Sequence, residues 1–195
     1  MIMSAYSTDD YEFSFAERTI KNLELIQRRV SDEKEQGKSD KDITDAFEVT
    51  QLINSFVGLL IIPRQKCFKY MPDDIKFPRN SAAEELFGRI KNDSNICEYT
   101  YFKQKRLNGK WVKTSEIEEI SPKILSLRMR NAVSHDHLRI QPLAPGKDGI
   151  ISGVEFSDKP SGKNTGEHFR LLLTISEVEI LVKALSELLL SCYPH

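Results

Sequence analysis

The chain has 195 residues, 39% apolar and 29% charged, which suits one globular domain with a sizeable core rather than a disordered or fibrous protein. A formal net charge of -1 excludes a global positive field, so any nucleic-acid contact has to come from a local cluster or be assembled across a dimer. The three cysteines, Cys67, Cys97 and Cys192, show no CxxC or metal-like spacing and read as isolated thiols in a reducing compartment.

The N-terminal MIMSAYSTDDYEF lacks the basic-then-apolar order of a secretory signal. Ser14 and Glu17 have capping-box spacing, and Ala16, Ile20, Leu23, Ile26 and Val30 continue as a helical stripe. A charged stretch with Gly37 then reads as a turn. From about Asp40 to Ile62 the pattern is helical and apolar around most of its circumference, as in a central helix, with Thr50 and Asn54 inside the apolar arc. Its FVGLLII core at 56–62 ends at Pro63-Arg64, too short for a membrane span, so a cytoplasmic protein is expected.

Residues 63–114 change character and form an insertion. PRQKCFKYMPDDIKFPRN is irregular, SAAEELFGRIK predicts a short helix, and CEYTYFKQKRLNGKWVK alternates around Asn108-Gly109, a tight-turn signal for a hairpin. Lys103, Lys105, Arg106, Lys110 and Lys113 are interleaved there with aromatic residues. That pattern fits contact with single-stranded nucleic acid and equally fits a charged strand pair that resists edge aggregation. A helical region is expected from near Ser115, restarting at Ser121-Pro122 and closing with RNAVSH at 130–135. GIISGVEFSD and EHFRLLLTI read as two strands. Ser176 and Glu179 then offer a capping box for a final helix with Val178, Leu181, Leu185 and Leu188 on its apolar face. The expected fold is mainly α: one domain over 1–195, a bundle of four or five helices, with a hairpin inserted mid-chain and another before the last helix.

RNAVSH is the segment that carries chemistry. Residues 131 and 135 stack one turn apart in a helix, so the Asn131 amide can orient the His135 ring. Arg130 lies roughly 140° from His135 around the axis and about 7.5 Å along it, but its long side chain can curl toward a ligand at the helix end. A guanidinium offers a fixed fork of donors for phosphate oxygens and for charge that builds in a transition state. Imidazole titrates near neutrality and can take or give a proton. Attack by a ribose 2′-hydroxyl is helped by both a base and an acid, so two copies of the helix end meeting in a two-fold dimer would complete the site. Such a mechanism calls for no metal and no cofactor.

An arginine, a polar residue and a histidine with four residues between it and the arginine, late in a helix, resemble the HEPN superfamily; here they are Arg130, Asn131 and His135. TQLINSFVGLLIIPRQ at 50–65 and the hairpin-then-helix C-terminus are similar to stand-alone bacterial HEPN-family ribonucleases. The resemblance implies a homodimeric, metal-independent endoribonuclease leaving 2′,3′-cyclic phosphate and 5′-hydroxyl ends. It also implies a role as a toxin paired with a protein antitoxin, or in defence against phage. The insertion at 63–114 and the absence of overall positive charge depart from the pattern and leave substrate choice open. Arg128 and Arg139 are candidates to hold the RNA backbone; Arg64 can reach the phosphate cleft or stand in a salt bridge or solvated turn, and Ser134 can hydrogen-bond substrate or the histidine ring or simply be solvated. The competing function is a non-catalytic helical module that binds a partner protein or a nucleotide.

Overall fold

The computed structural model describes residues 11–37, 55, 68–134, 138–141, 153–158 and 166–192. Helix α1 spans Tyr11–Glu35, beginning upstream of the Ser14–Glu17 pair, and Gly37 leaves it at φ +77, a conformation that costs glycine nothing. After a single 3-10 turn at Phe68–Tyr70 comes α2, Ala82–Asn92. Ser81 caps α2 by accepting from Glu84 N at 3.1 Å, and the Glu84 carboxylate accepts from Asn80 N at 2.7 Å, so the pair ties off two end donors.

Strands β1 (Cys97–Thr100), β2 (Phe102–Leu107) and β3 (Lys110–Ile117) follow, then α3 (Pro122–Ser134), β4 (Leu138–Gln141), β5 (Gly153–Asp158), β6 (His168–Thr174) and α4 (Ile175–Ser191). The mainly α expectation is overturned. β1, β6, β5 and β4 form a four-stranded antiparallel sheet in that order, and β2 pairs with β3 in a separate two-stranded one. The two hairpins foreseen are present, but β1 adds to one side of the β5–β6 pair and β4 to the other, turning a hairpin into a sheet. Physically, alternation in VEFSD and HFRLLLT gives each strand one apolar face that a hairpin alone could not bury.

Along that face Val154 and Phe156 of β5, and Phe169, Leu171 and Leu173 of β6, are buried in one core with Leu125, Met129 and Ala132 of α3 and Leu181 and Leu185 of α4. Burial of each such large side chain stabilises by about 1.5–3 kcal/mol. α3 packs on β5, α4 on β5 and β6, and both α1 and α2 lie against α4. On the outer face Arg170 bridges Glu155 at 3.0 Å and Glu98 at 3.3 Å.

Two local expectations are corrected. Residues 115–117 are the end of β3, held by the pairing of Phe102 with Ile117, and the helix starts only at Pro122. The last helix is capped by Thr174 and Glu177 rather than by Ser176 and Glu179, because it begins directly where β6 ends. The expected central helix at 40–62 lies outside the described residues apart from Ser55, which is helical and buried.

Candidate functional site

The last turns of α3 carry Arg128, Arg130, Asn131 and Ser134. Leu125, Met129 and Ala132 take the core-facing stripe of this helix, and Arg128 and Asn131 beside it reach the end of β5. There stands Asp158. It shares a sheet face with Val154 and Phe156, so alternation delivers a carboxylate to a position where an apolar side chain would ordinarily sit, and its side chain is only 7% exposed. A buried carboxylate needs partners, and three residues supply them. Asn131 Nδ2 donates to Asp158 Oδ2 at 3.1 Å, Arg128 Nη1 at 3.2 Å, and the Tyr101 hydroxyl at 3.2 Å.

Arg128 is held from a second direction, its guanidinium carbon lying 3.3 Å from the centroid of the Tyr101 ring. It also lies 3.9 Å from Glu118 Oε2, which accepts a hydrogen bond from the Tyr99 hydroxyl at 2.8 Å. Burial pushes both tyrosines above the ordinary phenol range, reinforced at Tyr99 by its bond to Glu118. Both hydroxyls therefore stay protonated and act as donors to the carboxylates.

Arg130 differs from Arg128. Its Nη1 donates to Asn131 Oδ1 at 2.7 Å, and among the described residues no carboxylate lies within 4 Å of it. In both arginines Nε is buried without a hydrogen-bond partner among the described residues, so the difference lies in the carboxylates. The Asn131 amide thus has its oxygen on the guanidinium and its nitrogen on the carboxylate, the one orientation that satisfies both neighbours. The result is a relay in which Asp158 fixes Asn131 and Asn131 fixes Arg130, leaving the positive charge of Arg130 without a negative partner among the described residues.

Of the remaining sequence candidates, Ser134 is exposed at the last position of α3. Arg139 lies on β4, paired in register with Glu155 on the sheet face opposite Asp158. His135 and Arg64 lie outside the described residues. Sequence reasoning missed Asp158, Tyr101 and Glu118. The available signal was the alternation V-E-F-S-D, which puts an acid in phase with two core residues.

A groove of about 550 Å³ opens at the other end of α3, lined by Lys76, Lys91 and Lys103 together with Asp73, Asp74, Glu118 and Glu119. Its mixed charge favours no single ligand class. Among the described residues no group of His, Cys, Asp and Glu has the arrangement of a metal site, and no helix is long and apolar enough to cross a membrane.

Comparison with protein families places the chain in the HEPN superfamily, whose members are generally associated with ribonuclease activity and commonly bind RNA and dimerise. The chain belongs to the family described as HEPN pEK499 p136, whose model matches residues 3–195. No curated protein and no solved structure matches it.

Proposed function

We propose that the chain is an endoribonuclease that works without a metal at a site shared by two copies, in the cytoplasm, as a toxin restrained by a protein antitoxin or as a phage-defence effector. The observation that carries this reading is the state of Arg130: fixed through Asn131 by a buried carboxylate, yet with no carboxylate of its own among the described residues. A phosphodiester is the natural partner for such a guanidinium.

In the reaction, a His135 imidazole takes the proton of the ribose 2′-hydroxyl, and the oxygen attacks the adjacent phosphorus. The bond to the 5′-oxygen breaks, and a second His135, from the symmetry-related copy, protonates that leaving oxygen. The products are a 2′,3′-cyclic phosphate and a 5′-hydroxyl. Arg130 clamps the non-bridging oxygens and stabilises the charge that accumulates on them, and Asn131 holds Arg130. The whole chain over 1–195 acts as one HEPN-like domain, with 63–114 as its insertion.

His135→Ala should abolish RNA cleavage and relieve toxicity on overexpression while leaving the melting temperature nearly unchanged. Equal loss of folding would make the histidine structural and sink the reading. Cleavage should persist in EDTA, and the active species should be a dimer by light scattering. A fully active monomer would end the shared-site mechanism. Harmless overexpression with no RNA decay would favour the non-catalytic binding module.

A further inference from the structure

Away from the Arg130 relay, the stretch 102–113 holds Lys103, Lys105, Arg106, Lys110 and Lys113 and no carboxylate. Taking this local +5 from the whole-chain charge of -1 leaves the remainder at -6. The stretch forms an arm: among the described residues β2 and β3 pair only with each other, and Asn108 (φ 50) and Gly109 (φ 79) close its tip in left-handed conformations. At ~3.3 Å per residue the arm reaches about 20 Å from its root.

Two of its cations are neutralised. Lys103 lies 3.0 Å from Glu116, and Lys113 bonds the buried Glu167 carboxylate, which also accepts from Phe102 N at 3.1 Å. Burial raises the Glu167 carboxyl, but these bonds outweigh it and hold the group below the usual carboxylate range, so it stays ionised as a tether. Lys105, Arg106 and Lys110 are exposed, with no carboxylate within 4 Å among the described residues. Lys105 pairs with Val112 and Leu107 with Lys110, so one face of the arm alternates cations with apolar side chains that are 41% (Val112) and 54% (Leu107) exposed.

Lysines guard an exposed strand pair against edge-to-edge aggregation, but that role does not account for Leu107 and Val112 left exposed between them. From Phe102 to Lys113 the arm carries five cations and no carboxylate, its one acid being Glu116 beyond that stretch, and the rest of the chain is acidic. Its root is also the Asp158 network: Tyr101 O accepts from Glu118 N at 2.7 Å, while the side chains of the same two residues meet Asp158 and Arg128.

We propose that this face of the β2–β3 arm is a binding site for single-stranded RNA, with Lys105 and Lys110 on backbone phosphates and Leu107 and Val112 against sugar and base. The assignment of RNA rests on the ribonuclease reading, because phosphate contacts alone do not choose a nucleic acid. The test uses the full chain carrying His135→Ala and a fluorescent single-stranded RNA oligonucleotide, its affinity followed by anisotropy against NaCl concentration. Converting Lys105 and Lys110 together to Gln should weaken binding at least fivefold at low salt. It should also reduce the slope of log affinity against log salt by about 1.4, the loss of two single-strand phosphate contacts.

A second variant, Lys105→Glu with Lys110→Glu, should weaken binding further, and circular dichroism of both should match the parent. Unchanged affinity and slope in folded variants would overturn the proposal and leave the arm to an acidic protein partner, as would a parent that binds no RNA. If the arm variants lose RNA as expected but the chain with His135 intact cleaves none, the ribonuclease reading fails and the arm stands as a nucleic-acid site.

Discussion

Asn131 and Asp158 meet across the packing of α3 on β5, the amide nitrogen 3.1 Å from the carboxylate oxygen, although 27 positions separate them in sequence. Because the amide oxygen simultaneously receives Arg130, the two residues should act on catalysis as one unit. Asn131→Ala and Asp158→Asn should each lower kcat on RNA by about tenfold or more with little change in KM, since misplacement of a transition-state contact appears in kcat. The double variant should be no worse than the weaker single one. Multiplicative losses would mean that the residues act separately, and that the relay is only a contact.

Asp158 also carries a structural load that can be separated from the relay. Asp158→Ala removes the nearest carboxylate from the Arg128 guanidinium, 15% exposed, leaving it Glu118 at 3.9 Å and leaving the Tyr101 hydroxyl only the main-chain oxygen of residue 158. Removing one partner of a largely buried pair costs about 3–5 kcal/mol, readable by urea unfolding. Replacing both partners with apolar residues, Arg128→Met with Asp158→Leu, should recover much of that loss. A single variant as stable as the parent would show that the carboxylate does not anchor the helix.

How far the sequence foretold this arrangement depends on the range of each interaction. Arg130, Asn131, the SAAEELFGRIK segment and the Asn108-Gly109 turn are local patterns, and the structure has the helices and the hairpin where those residues predict them. The sheet was not legible, because adding β1 to β6 depends on pairing Cys97 with Leu171 and Tyr99 with Phe169, contacts that no local periodicity announces. Asp158 escaped for a related reason: an acid at a strand end reads as solvated until Arg128, Asn131 and Tyr101 are brought to it from two other elements. The capping box slipped by two residues because Ser176–Glu179 and Thr174–Glu177 have identical spacing, and only the end of β6 chooses between them.

The turn at the tip of the arm makes its own prediction. Gly109 sits at φ 79, where a side chain costs about 1–2 kcal/mol. Gly109→Val should therefore loosen the arm alone, because β2 and β3 pair with no other strand among the described residues. Hydrogen exchange should quicken over 102–117 while the amides of β5 and β6 keep their protection. Protection lost equally throughout the chain would show that the arm is integral to the core.

Cys97 opens the sheet on β1, and burial first, then the neighbouring Glu98 charge, push its thiol from 9.0 to about 12. The thiolate is the reactive form, so iodoacetamide at pH 8 should leave Cys97 unmodified in the native protein, as peptide mass spectrometry would show, while the less buried Cys192 reacts. The same shift fixes the sign of a pH effect. In the unfolded chain the thiol gives up its proton near its ordinary value, whereas the native thiol holds it to about 12. Between these limits the unfolded state binds fewer protons, so stability falls as pH rises and is unaffected by this group below pH ~9. The melting temperature should decline from pH 9 to 11, and Cys97→Ala should flatten the first part of that decline. Tyr99 and Tyr101, also raised by burial, sustain it at higher pH. An identical slope with and without the cysteine would show that its thiol titrates as freely in the folded chain as in the unfolded one.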